Sequence, residues 1–164
     1  MRKRTNSRGF TVVELVALML IGALVLGIAV PKFIMASHMR KTRKLTLVLN
    51  RLWDAQYEYH KQHGRFAGSV RDLDIRKSDL KSRWFMFSVP YASRDTFFVQ
   101  ASVKRSFGRT TVNDWAGISS AKVRSISDPE TLGKYAVEWM DLMKRDRRRR
   151  ERERKRQEKQ GEAG

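Results

Sequence analysis

Residues 8–15 read Arg8-Gly9-Phe10-Thr11-Val12-Val13-Glu14-Leu15, a junction between a basic stretch and a long apolar one. On its N-terminal side stand Arg2, Lys3, Arg4 and Arg8, with no acid among the first nine residues. On its C-terminal side every residue from 15 to 30 is apolar or Gly, and the run extends back across residues 10–13 and forward across residues 33–36. A bilayer core takes about 20 helical residues, so the segment is long enough to span. Lys32 near its end can extend its ammonium towards headgroups. Glu14 is the residue that needs a partner, because a carboxylate in hydrocarbon is costly and marks a functional pairing. A secretory signal cut after Gly27-Ile28-Ala29 is the competing reading, but an acid at the mouth of its apolar region has no role there. Basic residues flank both ends, Arg2 to Arg8 against Lys32, Arg40, Lys41, Arg43 and Lys44, so the positive-inside rule leaves orientation open.

The order of a short basic leader ending in Gly9, then Phe10, then Thr11-x-x-Glu14-Leu15 and an apolar helix is similar to the cleavage and methylation signature of type IV prepilins. The chain thus resembles the type IV pilin-like family, pseudopilins included. That resemblance implies cleavage between Gly9 and Phe10 by a prepilin peptidase and methylase on the cytoplasmic side, with N-methylation of Phe10. It also implies a single-pass precursor in the inner membrane with the head outside, and later a periplasmic or extracellular filament. The partners implied are other pilin or pseudopilin subunits and an assembly platform in the inner membrane. Gly22, Gly27 and Pro31 sit where the family places its helix breakers. A physical reason accompanies the pattern. Cleavage would create a cationic amine at Phe10 one helical turn from Glu14, and neither charge can stay unpaired in lipid. The Glu14 carboxylate of an arriving subunit can meet the Phe10 amine of a neighbour. Pro31 offers no N–H to the carbonyl of Gly27, so this stretch is either a plain kink or a place that melts on packing.

Beyond the apolar run, Leu45, Val48, Leu49, Leu52, Gln56 and Tyr59 recur at spacings of three and four, which predicts one face of a continuing helix. Arg40, Lys44, Arg51, Glu58 and Lys61 fall away from it. The helix is expected to run from about Phe10 to about Gln62 and to end at Gly64. Residues 57–73, with aromatics before and after Gly64 and a closing Leu73, are similar to the pseudopilin passage that ends the stalk helix, except that Ala67 stands where the family has Pro. Strand chemistry follows. Residues 84–89 are aromatic-rich, residues 96–104 alternate with Phe97, Val99, Ala101 and Val103 on one side, and further strands are expected over residues 110–114 and 117–123. Trp84, Phe85, Phe87 and Phe97 read as core packing rather than a base-stacking platform. A stalk face laid on three or four antiparallel strands predicts an α+β head.

Ser127-Asp128-Pro129-Glu130 is a helix-start signal, followed by Leu132, Tyr135, Ala136, Trp139, Met140 and Met143 at helical spacing. From 144 to 164 eleven Lys and Arg stand against five acids, and no core can be built from that segment. Three readings of it compete: a solvated helix held by i,i+4 pairs, a nucleic-acid contact through Arg147, Arg148, Arg149, Arg150, Arg152, Arg154, Lys155 and Arg156, and an anionic-lipid or acidic-partner contact. The formal charge of +18, from 35 basic and 17 acidic residues among 164, favours a polyanionic or anionic-membrane partner. With no Cys there is no disulfide framework, thiolate metal site or thiol nucleophile. No catalytic motif is visible, and His60 with His63 supplies too few ligands for zinc. The sequence thus reads as a non-enzymatic chain with no cofactor and no metal. Its expected parts are a leader over 1–9, a membrane and filament-core helix over 10–36, a stalk over 37–63, a β-rich head over 64–126, a docked helix over 127–143 and a basic tail over 144–164. The function implied is that of a minor pilin or pseudopilin of a type IV pilus or type II secretion filament. A membrane-anchored or secreted nucleic-acid-binding module acting through the tail, as in DNA uptake, is the alternative.

Overall fold

A computed structural model describes residues 11–161. The leader and the Gly9–Phe10 junction lie outside the described residues. The protein is α+β: a long N-terminal helix, a four-stranded antiparallel sheet and a C-terminal helix. The elements in chain order are α1 (Val12–His63), a single 3-10 turn (Val70–Asp72), α2 (Lys77–Leu80), β1 (Phe85–Ala92), β2 (Phe97–Val103), β3 (Trp115–Ser119), β4 (Arg124–Ile126), α3 (Leu132–Tyr135) and α4 (Val137–Gly161). Two compact units divide at Ser37 and His38.

The first unit holds the apolar turns of α1. Its large side chains are exposed, among them Val12, Leu20, Leu24 and Phe33. The helix is unbroken through Pro31, and it is the one helix among the described residues long and apolar enough to cross a membrane.

In the second unit the remainder of α1 lies against the sheet. Leu45, Val48, Leu49, Leu52 and Gln56 are buried as the spacing predicts, joined by Thr42 and Thr46, while Tyr59 is half-buried. The sheet answers with Phe97, Val99, Ala101 and Val103 of β2 and Ala116 and Ile118 of β3, all buried. Edge-on contact between Tyr57 and Phe97, at 5.8 Å between centroids, and bonds from Trp53 Nε1 to Ser119 O (3.0 Å) and from Tyr57 O–H to Ser120 O (3.0 Å) fix helix against sheet. The strands form a meander, β1-β2-β3-β4. Between Ser88 and Tyr91 the β1–β2 register slips by one residue. Pro90 falls within that slip and cannot donate to the ladder. At Gly117 an added Cβ would stand 2.8 Å from Val99 O and nearer still to the end of the Phe98 ring, so any side chain there would force the β2 backbone to shift.

Three segments depart from the sequence reading. Residues 110–114 form a loop, not a strand. Thr110 Oγ1 donates to Phe107 O (2.8 Å) and accepts from Phe107 N–H (2.9 Å), and Asp114 Oδ2 accepts from Thr111 N–H (2.7 Å), so side chains take the place of ladder partners. Residues 117–123 split at a turn in which Lys122 has φ 57°, so β3 ends at Ser119 and β4 begins at Arg124. The helix expected from 127 starts at Leu132 and is interrupted at Ala136, whose backbone has φ −85° and ψ 50°. Asp128 accepts instead from Glu130 N–H (2.7 Å) in a local turn. Phe85 and Phe97 are buried, whereas Trp84 and Phe87 are half-buried.

Helix α1 closes as expected, with Gly64 in the left-handed region (φ 68°) donating to His60 O at 2.8 Å. The chain then turns back through buried Phe66 to Ala67. Gln56, fully buried, donates through Nε2 to Ala67 O and accepts from Ala67 N–H through Oε1, both at 2.8 Å. That pair explains why 67 is not Pro in this chain: a proline would have no N–H for Gln56. Gln56→Leu strands a buried donor and a buried acceptor, and should lower stability by about 2–4 kcal/mol in a urea titration of the full chain. Ala67→Pro should lose part of the same amount. A change below about 1 kcal/mol for Gln56→Leu would contradict this role.

Candidate functional site

Two regions carry the residues singled out by the sequence. At the start of α1, Thr11 and Glu14 form a reciprocal cap. Glu14 N–H donates to Thr11 Oγ1 (3.2 Å), while Glu14 Oε2 accepts from Thr11 N–H (2.8 Å) and from Thr11 Oγ1–H (3.1 Å). This Thr-x-x-Glu capping box satisfies donors that a helix start otherwise leaves open. The Thr11-x-x-Glu14 spacing displays it in the sequence, where the apolar run around Glu14 points first to the Phe10 amine as its partner. The carboxylate thus has a hydrogen-bonding role within its own chain, through Oε2, and a carboxylate has further lone pairs for another donor. Gly22 and Gly27 face open space: among the described residues, a Cβ at either would meet nothing within 4 Å. Small residues of this kind let a second helix approach closely.

The second region is the basic surface of the head and tail. Lys41 Nζ lies 4.0 Å from the centre of the Trp84 ring, with the Arg83 and Arg105 guanidiniums 5.5 and 5.8 Å from it. His38 stacks on Phe107 at 5.6 Å, and its Nδ1 is 3.4 Å from Lys41 Nζ. Partial burial first, and the Lys41 charge second, hold its pKa below the usual 6.5. A groove of about 610 Å³ between α1 and the start of α4 is lined by Arg40, Arg43 and Arg145 together with Glu138 and Asp141. His60 and His63 do not converge on a common ligand. The first donates to Arg94 O (3.1 Å), and the second bonds Tyr59 O (3.0 Å) and stacks on the Tyr59 ring. Among the described residues no group of three His, Asp or Glu side chains could hold a metal.

The tail is helical to Gly161. Arg147 pairs with Glu151 (3.1 Å), Arg149 with Glu153 (3.8 Å) and Arg154 with Glu158 (3.5 Å). Arg148, Arg150, Arg152, Lys155 and Arg156 are exposed. One acid of the segment belongs to the head instead. Asp146 pairs with Arg124 of β4, whose side chain is 5% exposed. The same guanidinium bonds Asn50 Oδ1 of α1 at 3.0 Å and lies 5.4 Å from the fully buried Trp139 ring. Its Nε is buried with no hydrogen-bond partner among the described residues. Nothing in the sequence pointed to this cluster, because its members lie on three elements far apart in the chain.

No family model matches the chain, and no curated protein matches it. Among solved structures it is similar to the non-core minor pilin PilV of Neisseria meningitidis, at 18% identity and a TM-score of 0.40, with 56% of this chain and 88% of that chain covered. A likeness at that level is not evidence of shared function.

The Arg124 cluster ties α4 to the sheet and to α1 as far along as Asp146. Truncation after Asp146 should leave the unfolding midpoint of the head close to that of the full chain. Asp146→Ala should destabilise it by about 3 kcal/mol, because a buried guanidinium loses its counter-charge. Equal midpoints for Asp146→Ala and the full chain would show that the pair is not structural.

Proposed function

We propose that this chain is a subunit of a pilus-type filament, a minor pilin or pseudopilin of a type IV pilus or type II secretion filament, whose work is polymerisation rather than catalysis. The precursor sits in the inner membrane by the apolar half of α1 with its head outside. A prepilin peptidase removes residues 1–9 and methylates Phe10. An assembly platform then adds the subunit to its neighbours. One observation carries this reading: an acid, Glu14, opens an apolar helical segment whose large side chains are exposed in the isolated chain. Such a segment needs both an apolar surround and a counter-charge, and a second copy of the same segment supplies both. The α+β head, with a long helix leading a four-stranded antiparallel sheet, is the architecture that the resemblance of residues 8–31 implies.

The capping box refines the pairing step. A lone subunit in the bilayer keeps Glu14 hydrogen-bonded to Thr11, which lowers the cost of carrying a carboxylate there. On assembly the Phe10 amine of a neighbour adds the missing positive charge without displacing Thr11. Residues 22–31 are the part of the helix able to stretch or melt as bundles pack, since Pro31 leaves the Gly27 carbonyl without its N–H.

Glu14→Gln retains acceptors for Thr11 and removes the charge. In cells it should leave the protein inserted and the head folded while incorporation into filaments falls at least tenfold, read by immunoblot of sheared filaments against membranes. Thr11→Val, which removes the hydroxyl and keeps the charge, should reduce incorporation much less. Normal incorporation of Glu14→Gln would show that the charge is not used.

A further inference from the structure

The tail of α4 carries its charges unevenly around the helix. Residues advance by about 100° each, and on that wheel Arg145, Arg148, Arg152, Lys155, Arg156 and Lys159 share an arc of about 100°. All six are exposed. The acids Asp146, Glu151, Glu153 and Glu158 fall outside the arc. Three of them pair with Arg147, Arg149 and Arg154, and Asp146 turns to Arg124 in the head. Among the described residues none of the six basic side chains has an acidic partner within ion-pair distance. Intrahelical pairing therefore neutralises most of the charge on the other faces, where Arg150 is the exposed Arg without an ion pair among the described residues, and leaves the six cations from 145 to 159 as one uncompensated stripe.

We infer that this stripe is a binding surface for the phosphate backbone of duplex nucleic acid, read without regard to sequence. It runs about 21 Å along a straight helix at 1.5 Å per residue, a length on which successive cations can meet successive phosphates of one strand or lie along the major groove. Four of the six are Arg, whose planar fork suits phosphate oxygens. The bilayer surface is the weaker fit: no residue from 145 to 159 is apolar, and an interfacial helix needs an apolar face to bury. Single strands fit less well too, because they are held by aromatic stacking, and the last aromatic side chain of α4, Trp139, is fully buried. No side chain on the arc is of the kind that reads adenine, and Gln157 and Gln160 lie off it. At its head end Arg145 stands in the groove with Arg40 and Arg43, where Glu138 and Asp141 also line the wall, so the stripe begins at Arg145. The inference is independent of the filament reading.

The test uses the full chain in uncharged detergent micelles and a labelled random-sequence DNA duplex, with anisotropy followed across a salt series. The expected slope of log K against log salt is about −5 for six contacts. Two triple variants remove the same formal charge. Arg148→Gln with Arg152→Gln and Lys155→Gln should make the slope shallower by about 3, whereas Arg147→Gln with Arg149→Gln and Arg154→Gln should change it by less than about 1. Gln is a good helix former, and Arg148→Lys with Arg152→Lys should keep the wild-type slope, which separates lost charge from lost helix. Equal effects of the two Gln triples would overturn the inference in favour of bulk charge. No duplex binding by the wild-type chain would overturn it outright. Binding to phosphatidylglycerol vesicles that depends on the stripe, with duplex binding unaffected by the stripe triple, would assign the surface to lipid instead.

Discussion

A carboxylate carried into hydrocarbon must be both hydrogen-bonded and electrically balanced, and for Glu14 the described residues meet only the first condition. Thr11 gives Glu14 two donors, but an amide and a hydroxyl are dipoles and bring no opposite charge. Low dielectric raises the worth of a true counter-ion well above its value in water. In the proposed filament that ion is a neighbour's terminal amine, so electrical completion and polymerisation are the same event. The capping box then acts as the holding arrangement of the unassembled subunit, and the same geometry keeps the carboxylate oriented at the helix start.

The head meets an analogous requirement with internal partners. Its apolar layer, the Leu45 to Leu52 face of α1 against β2 and β3, is conventional burial. Two polar insertions make it specific. Gln56 closes on both backbone groups of Ala67, which pins the chain as it leaves α1. Arg124 ties β4 to Asn50 of α1 and Asp146 of α4, so one buried guanidinium links three elements. A buried ion pair of this kind adds little net stability, but losing one partner is expensive.

Periodicity made much of this legible. The stalk face, the alternation of β2 and the Gly64 terminus follow from spacing, because each is a local pattern whose partner surface is generic. What spacing does not contain is the partner's identity. The loop at 110–114 looked strand-like by composition, yet Thr110 and Asp114 bond their own backbone, and such local bonds compete with a ladder that the sequence does not display. The interruption at Ala136 and the diversion of Asp146 to Arg124 depend on tertiary docking. In the candidate site, Glu14 stood out as an acid in an apolar run, and its Thr11 partner three residues earlier was equally visible in a capping-box spacing that the membrane reading overshadowed. In the tail, charge counts gave the excess but not its direction. Only helical phase, with the Arg–Glu pairs subtracted, separates one uncompensated face from a merely basic segment.

Filament assembly by this route requires that Glu14 and a free Phe10 amine survive together in the exported protein. Intact-mass and N-terminal peptide mass spectrometry of the chain recovered from its native membrane measures that directly. The account predicts a mature chain that begins at Phe10 and carries one methyl group on its amine. A chain beginning at Val30, with Glu14 lost along with a cleaved signal, would contradict it.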